Sequence, residues 1–171
     1  MLCDVRHSCF VKNYVWFCGF NDHHVPYAAQ LFWYMGTRRK ARECALQLLY
    51  QVDLGNEELC DTQELFWNND TIDAPEKEFA SKLVHGVREH LTEIDNLLST
   101  YSTNWKLSRM ASIDKNILRI AVFELVFCKD IPSKVTINEA VEIAKLYGTD
   151  GSGAFVNGIL DNVSKKVKNS E

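Results

Sequence analysis

Thr37-Arg38-Arg39-Lys40-Ala41-Arg42-Glu43-Cys44-Ala45-Leu46-Gln47-Leu48-Leu49-Tyr50-Gln51-Val52 sets the reading of this chain. Ala41, Cys44, Ala45, Leu48, Leu49 and Val52 recur at i, i+3, i+4, i+7, i+8 and i+11, the spacing of one buried helix face. Thr37 is the expected N-cap, and Gly55-Asn56 the expected end. Arg38, Arg39, Lys40 and Arg42 then crowd the first turn and a half of this helix. A helix start carries partial positive charge and repels cations. A start that tolerates this repulsion beside free backbone N–H groups reads as an anion site. The net charge is −4, so any nucleic-acid affinity must come from a local patch, and the expected anion is a phosphate backbone.

Away from this helix the pattern stays helical. Asp73-Ala74-Pro75-Glu76 reads as a capping box with Pro near the first turn, followed by a stripe of Phe79, Leu83, Val84 and Val87. Ile94, Leu97, Leu98 and Tyr101 give another stripe after a bend near His90. A short helix is expected over Leu59–Trp67, before a break at Asn68-Asn69-Asp70. Ser112 is a candidate cap for a helix reaching about Cys128, so apolar that it should be central and buried on most sides. Thr136-Ile137-Asn138-Glu139 reads as a second capping box, and Tyr147-Gly148 as a helix end. Gly151-Ser152-Gly153 leads into a last helix carrying Phe155, Val156, Ile159, Leu160, Val163 and Val167. No strand alternation competes, so the expectation is an all-α bundle of about six or seven helices.

The first 34 residues differ, being rich in aromatics, Cys and His without a sustained helical period. Met35 looks like an ordinary protein start, so residues 1–34 read as a poorly ordered extension or an upstream-start artefact. Cys3, Cys9, Cys18, His23 and His24 match the spacing of no common zinc module. The six cysteines are most simply free thiols in a reducing cytosol, and no apolar window has the length of a membrane span.

Walker, dinucleotide, HExxH, GxSxG and CxxC motifs are absent, so no catalytic site, metal or cofactor is expected. His85 and His90 are isolated. Arg119, in the most apolar helix, should have a structural role, pairing a carboxylate such as Glu124 or Glu139 or bonding to helix-end carbonyls. Phosphate contacts position a nucleic acid without reading it, whereas reading needs base edges or stacking. Phe155, after the Gly-Ser-Gly turn, suits a stacking platform and core packing equally well.

Four blocks carry a resemblance. They are Arg38–Tyr50, Ile113–Leu125 (IDKNILRIAVFEL), Pro132–Lys145 (PSKVTINEAVEIAK) and Phe155–Asp161 (FVNGILD). In this order they resemble the NusB family of bacterial transcription antitermination factors, over about Met35–Lys168. The resemblance implies an all-helical fold of two small subdomains, about residues 37–90 and 91–168. It implies a non-catalytic protein that binds single-stranded boxA RNA of nascent rRNA leaders together with NusE, a small-subunit ribosomal protein. The complex would join NusA, NusG and RNA polymerase in the cytoplasm.

The resemblance places Arg38, Arg39, Lys40 and Arg42 on the family's basic RNA-binding start. Gln47 is a further candidate on the same helix, and Phe155 falls at an RNA-facing aromatic position. Tyr50 and Asp114 fall at positions for NusE. The residue before Phe155 is commonly basic in the family and here is Ala154, which implies a weaker phosphate grip on that side. Two other readings are a purely protein–protein helical module and a domain related to the N-terminal domains of RNA methyltransferases.

Overall fold

A helix that buries nine consecutive residues has no solvent face, and Asn116–Glu124 is such a run. It lies in α4, Ser112–Phe127, around which the other helices pack. These are α1 (Tyr27–Gly55), α2 (Ala74–Glu89), α3 (Leu91–Tyr101), α5 (Ser133–Tyr147) and α6 (Ser152–Asn169), with a 3-10 turn at Leu107–Arg109. The computed structural model describes residues 27–55, 66–67, 72–102 and 106–169, with side chains for all of these except 27–36, 55 and 168–169. Among the described residues the fold is all-α, with six helices and no strand.

The apolar stripes meet as expected. Leu48, Leu83, Ile94, Leu98, Ile117, Leu118, Val122, Val156 and Leu160 are fully enclosed in one cluster. That cluster crosses the boundary anticipated near residue 90, because α4 packs on helices from both sides of it. At Gly86 α2 comes close to α4: a Cβ there would collide with the Phe123 ring.

Several local expectations hold. The Asp73 N–H donates to Glu76 Oε2 at 3.1 Å, closing the capping box of α2. The chain turns at His90, and α3 begins at Leu91. The N–H of Gly148 reaches the Ala144 carbonyl at the end of α5.

Others do not hold. Thr37 is no N-cap, since α1 starts ten residues earlier at Tyr27. Nothing between Ala28 and Tyr34 breaks a helix, and Gly36 costs only about 1 kcal/mol in a helix interior. Thr136 and Glu139 form no capping box, because Pro132 and Ser133 start α5 one turn earlier. Ser112 is the first helical residue of α4, and the cap position falls to Ala111. Residues 1–26, most of the expected helix at 59–67, and the 68–70 break lie outside the described residues.

Arg119 is buried and internally paired, but with other carboxylates than expected. Its Nε and one terminal nitrogen donate to Asp95 at 2.9 and 2.8 Å. The other terminal nitrogen donates to Asn116 Oδ1 at 3.2 Å and lies 3.5 Å from Asp53. Asp95 wins because α3 crosses α4 at this level, while Glu124 lies one turn further on and is taken by α1. The pairing ties α1, α3 and α4 together.

Candidate nucleic-acid interface

The basic quartet of α1 lies inside the helix, so the end-of-helix anion site expected from the sequence is absent. In a helix interior the N–H groups bond to carbonyls one turn back. What organises the four cations is their set of partners.

Arg42 points inward. It is 4% exposed, and its Nε and terminal nitrogen donate to the two oxygens of Glu124 at 2.7 and 2.9 Å. Glu124 is 1% exposed and also accepts the Thr136 hydroxyl at 3.0 Å. A carboxylate this deep is tolerated because its oxygens are met by a two-toothed guanidinium and a hydroxyl.

The other three reach the surface. Arg39, with its side chain 46% exposed, grips Glu139 with two bonds of 2.8 Å. This bonding raises the Arg39 guanidinium above its ordinary value. Glu139 also lies 4.0 Å from Arg42. Lys40, equally exposed, sits 3.0 Å from Glu76. The Arg38 guanidinium carbon lies over the Phe79 ring, 4.0 Å from its centroid, with that of Arg42 at 5.5 Å. Thus Lys40 ties α1 to α2, Arg42 ties it to α4, and Arg39 ties it to α5.

Two cavities flank Arg38. One, of about 170 Å³, runs between Arg38, Arg42 and Glu139 on one side and Asp130, Ile131, Pro132 and Val135 on the other. The second, of about 430 Å³, is lined by Thr37, Arg38, Pro75, Glu78, Phe79, Lys82 and Asp130. Arg38 and Asp130 line both, so they stand between the two.

Phe155 and Asp114 meet elsewhere. Both line a cavity of about 290 Å³ with Arg109, Met110, Thr149 and Ser152. Phe155 is partly buried and packs against the core. Asp114 is 8% exposed, and its Oδ2 accepts the Ser152 hydroxyl at 3.0 Å. Its Oδ1 is buried without a hydrogen bond. Ser152 Oγ accepts the Thr149 N–H at 2.9 Å, so the loop before α6 is braced against Asp114. Gly148 leaves room for this Ser152.

Gln47 is exposed and Tyr50 half-buried on α1, in a row with Glu43 and Leu54 at one-turn spacing. Tyr147 donates to Glu43 at 3.2 Å, and burial raises the Tyr147 hydroxyl above its ordinary value. Among the described residues no three His, Cys, Asp or Glu side chains gather as a metal site needs. Cys3, Cys9, Cys18, His23 and His24 lie outside them.

Glu76, Glu124, Thr136 and Glu139 were not singled out for these roles in the sequence. Glu124 did leave a signal, because a carboxylate inside so apolar a helix requires a cation. The groove at Ile131–Val135 left none, since its residues are far from α1 in sequence.

The profile of the NusB family matches residues 39–165. The chain belongs to the NusB family. It is 46% identical over 140 residues to the transcription antitermination protein NusB of Syntrophus aciditrophicus, covering 81% of this chain and 87% of the relative. To the protein of the same name from Trichlorobacter lovleyi it is 50% identical over 137 residues, covering 80% and 96%. Among solved structures, T. maritima NusB superposes with a TM-score of 0.69 at 43% identity, over 75% of this chain and 91% of that one. A NusB solved with NusE and double-stranded RNA matches with a TM-score of 0.69 at 29% identity, over 77% and 98%. The NusB family match covers Arg39, Lys40 and Arg42 of α1 and the Phe155–Asp114 cavity, and begins one residue after Arg38.

Proposed function

We propose that this chain is a non-catalytic RNA-binding adaptor of transcription antitermination, binding single-stranded boxA RNA of rRNA leaders together with NusE. It acts in the cytoplasm, where the RNA–NusE complex joins NusA, NusG and RNA polymerase. One observation carries the reading: Arg38, Arg39 and Lys40 bring three cations into one turn of α1, Arg38 between two grooves and Arg39 and Lys40 half open to water, in a chain of net charge −4. Charge this local positions a phosphate backbone.

The roles divide by exposure. Arg38, Arg39 and Lys40 contact phosphates, and Gln47 contributes a polar contact further along α1. Arg42 acts as a positioning residue, because its guanidinium is enclosed by Glu124. Phe155 stacks with its exposed face on an unpaired base. Tyr50 and Asp114 face NusE. Membership of the NusB family, one member of which was solved with NusE and RNA, supports these roles.

The test is a mobility-shift titration with boxA RNA, with and without NusE. Single-stranded RNA should bind in preference to the same sequence in duplex, and NusE should tighten the complex. Replacing Phe155 with Ala should cost about tenfold in affinity, the size of one lost stacking contact. No binding of boxA RNA with NusE present would reject the proposal. The ion pairs of Arg39, Lys40 and Arg42 favour a second reading, a purely protein–protein module. That reading predicts NusE pairing without any RNA affinity.

A further inference from the structure

We infer that the groove over Ile131, Pro132 and Val135 seats one unpaired nucleobase, and that Asp130 reads an amino group on its edge. This rests on the RNA-binding reading above and adds a specificity-determining residue to it.

The groove presents two kinds of surface. Arg42 and Glu139 are engaged with Glu124 and Arg39. Asp130 and the apolar floor of Ile131, Pro132 and Val135 face the groove beside them. Val135 is 39% exposed, one of the few large apolar side chains open to water. Pro132 beside it is exposed and Ile131 half-buried. Phosphate gains nothing from such a floor, whereas the flat face of a base does. The volume, about 170 Å³, falls below the roughly 300–1,000 Å³ of sites for drug-sized ligands. It suits one ring system.

Asp130 supplies the selectivity. It is exposed and makes no hydrogen bond or ion pair among the described residues. A carboxylate beside phosphate-binding cations weakens their hold on phosphate. The same carboxylate accepts hydrogen bonds from the amino groups of cytosine, adenine or guanine. Uracil has no amino group and turns carbonyl oxygens to either side of its single N–H, which repel a carboxylate. Standing between the two cavities, Asp130 meets the edge of a base lying on Val135. The strand then continues past Arg38 toward Lys82 in the second cavity.

The experiment uses the full chain with NusE and a series of boxA RNAs in which each base in turn is exchanged between an amino-bearing base and uracil. The wild-type chain should prefer the amino-bearing base by about tenfold at one position. Asp130→Ala should remove that preference at that position alone. Val135→Ala, a change at an exposed site, should weaken every RNA about threefold without altering the salt dependence.

A uniform gain in affinity for all RNAs with Asp130→Ala would show simple repulsion and overturn the inference. So would an unchanged base profile, an unchanged affinity with Val135→Ala, or a loss confined to NusE pairing. Failure of the wild-type chain to bind any boxA RNA would instead overturn the RNA reading itself, and this inference with it.

Discussion

Arg39 and Arg42 lie three residues apart with opposite fates. Arg42 is enclosed with Glu124, so Arg42→Ala strands a buried carboxylate and should cost about 3–5 kcal/mol of stability. Arg39 is half open to water, and Arg39→Ala should cost no more than about 1 kcal/mol while weakening RNA binding. Urea unfolding of the two variants checks this, and equal destabilisation would contradict the assignment. Cys44 gives a pH signature at the same scale. Burial, with Glu76 and Glu43 adding, raises its thiol from the ordinary 9.0 to about 11. Above pH 9 the unfolded chain releases this proton while the folded chain keeps it, so the unfolded state binds fewer protons. The stability tied to this thiol is therefore full below pH 9 and is lost as the pH rises toward 11. Alkylation at pH 8, read site by site by mass spectrometry, should leave Cys44 and the equally buried Cys128 unmodified in the folded protein.

At the scale of elements, close approach of α2 to α4 depends on Gly86. Gly86→Ala drives a methyl into the Phe123 ring, and overpacking of this kind costs about 1–3 kcal/mol. Thermal melts should show a lower Tm for Gly86→Ala, partly restored by adding Phe123→Leu; no loss would mean the helices cross with room to spare. The stripes of α2, α3, α4 and α6 were legible in the sequence because an apolar period is local information. So was the cap of α2, which needs only Asp73 and Glu76. The starts of α1 and α5 were not. Thr37 and Thr136 both look like caps, and one lies inside a longer helix while the other gives its hydroxyl to Glu124. A cap-type residue marks a helix start only if the chain before it is not already helical, and the residue alone does not carry that. The sequence likewise offered Glu124 or Glu139 to Arg119, whereas the crossing of α3 over α4 supplies Asp95.

For the whole molecule, a net charge of −4 leaves the proposed RNA contact to the local cations of α1. Arg38, Arg39 and Lys40 are held by contacts with α2 and α5, so the fold itself presents them. Four sequence blocks were enough to suggest family and fold, because each lies on a helix that contributes to the common core. They did not separate cations that reach solvent from the one that does not. The measurement that tests the role of these three cations most directly is the salt dependence of boxA RNA affinity for the wild-type chain and for an Arg38→Ala, Arg39→Ala, Lys40→Ala triple variant. Loss of three phosphate contacts should flatten the slope of log affinity against log salt by about 2, at roughly 0.7 per contact for a single strand. A triple variant that folds normally and keeps the wild-type slope would contradict the account.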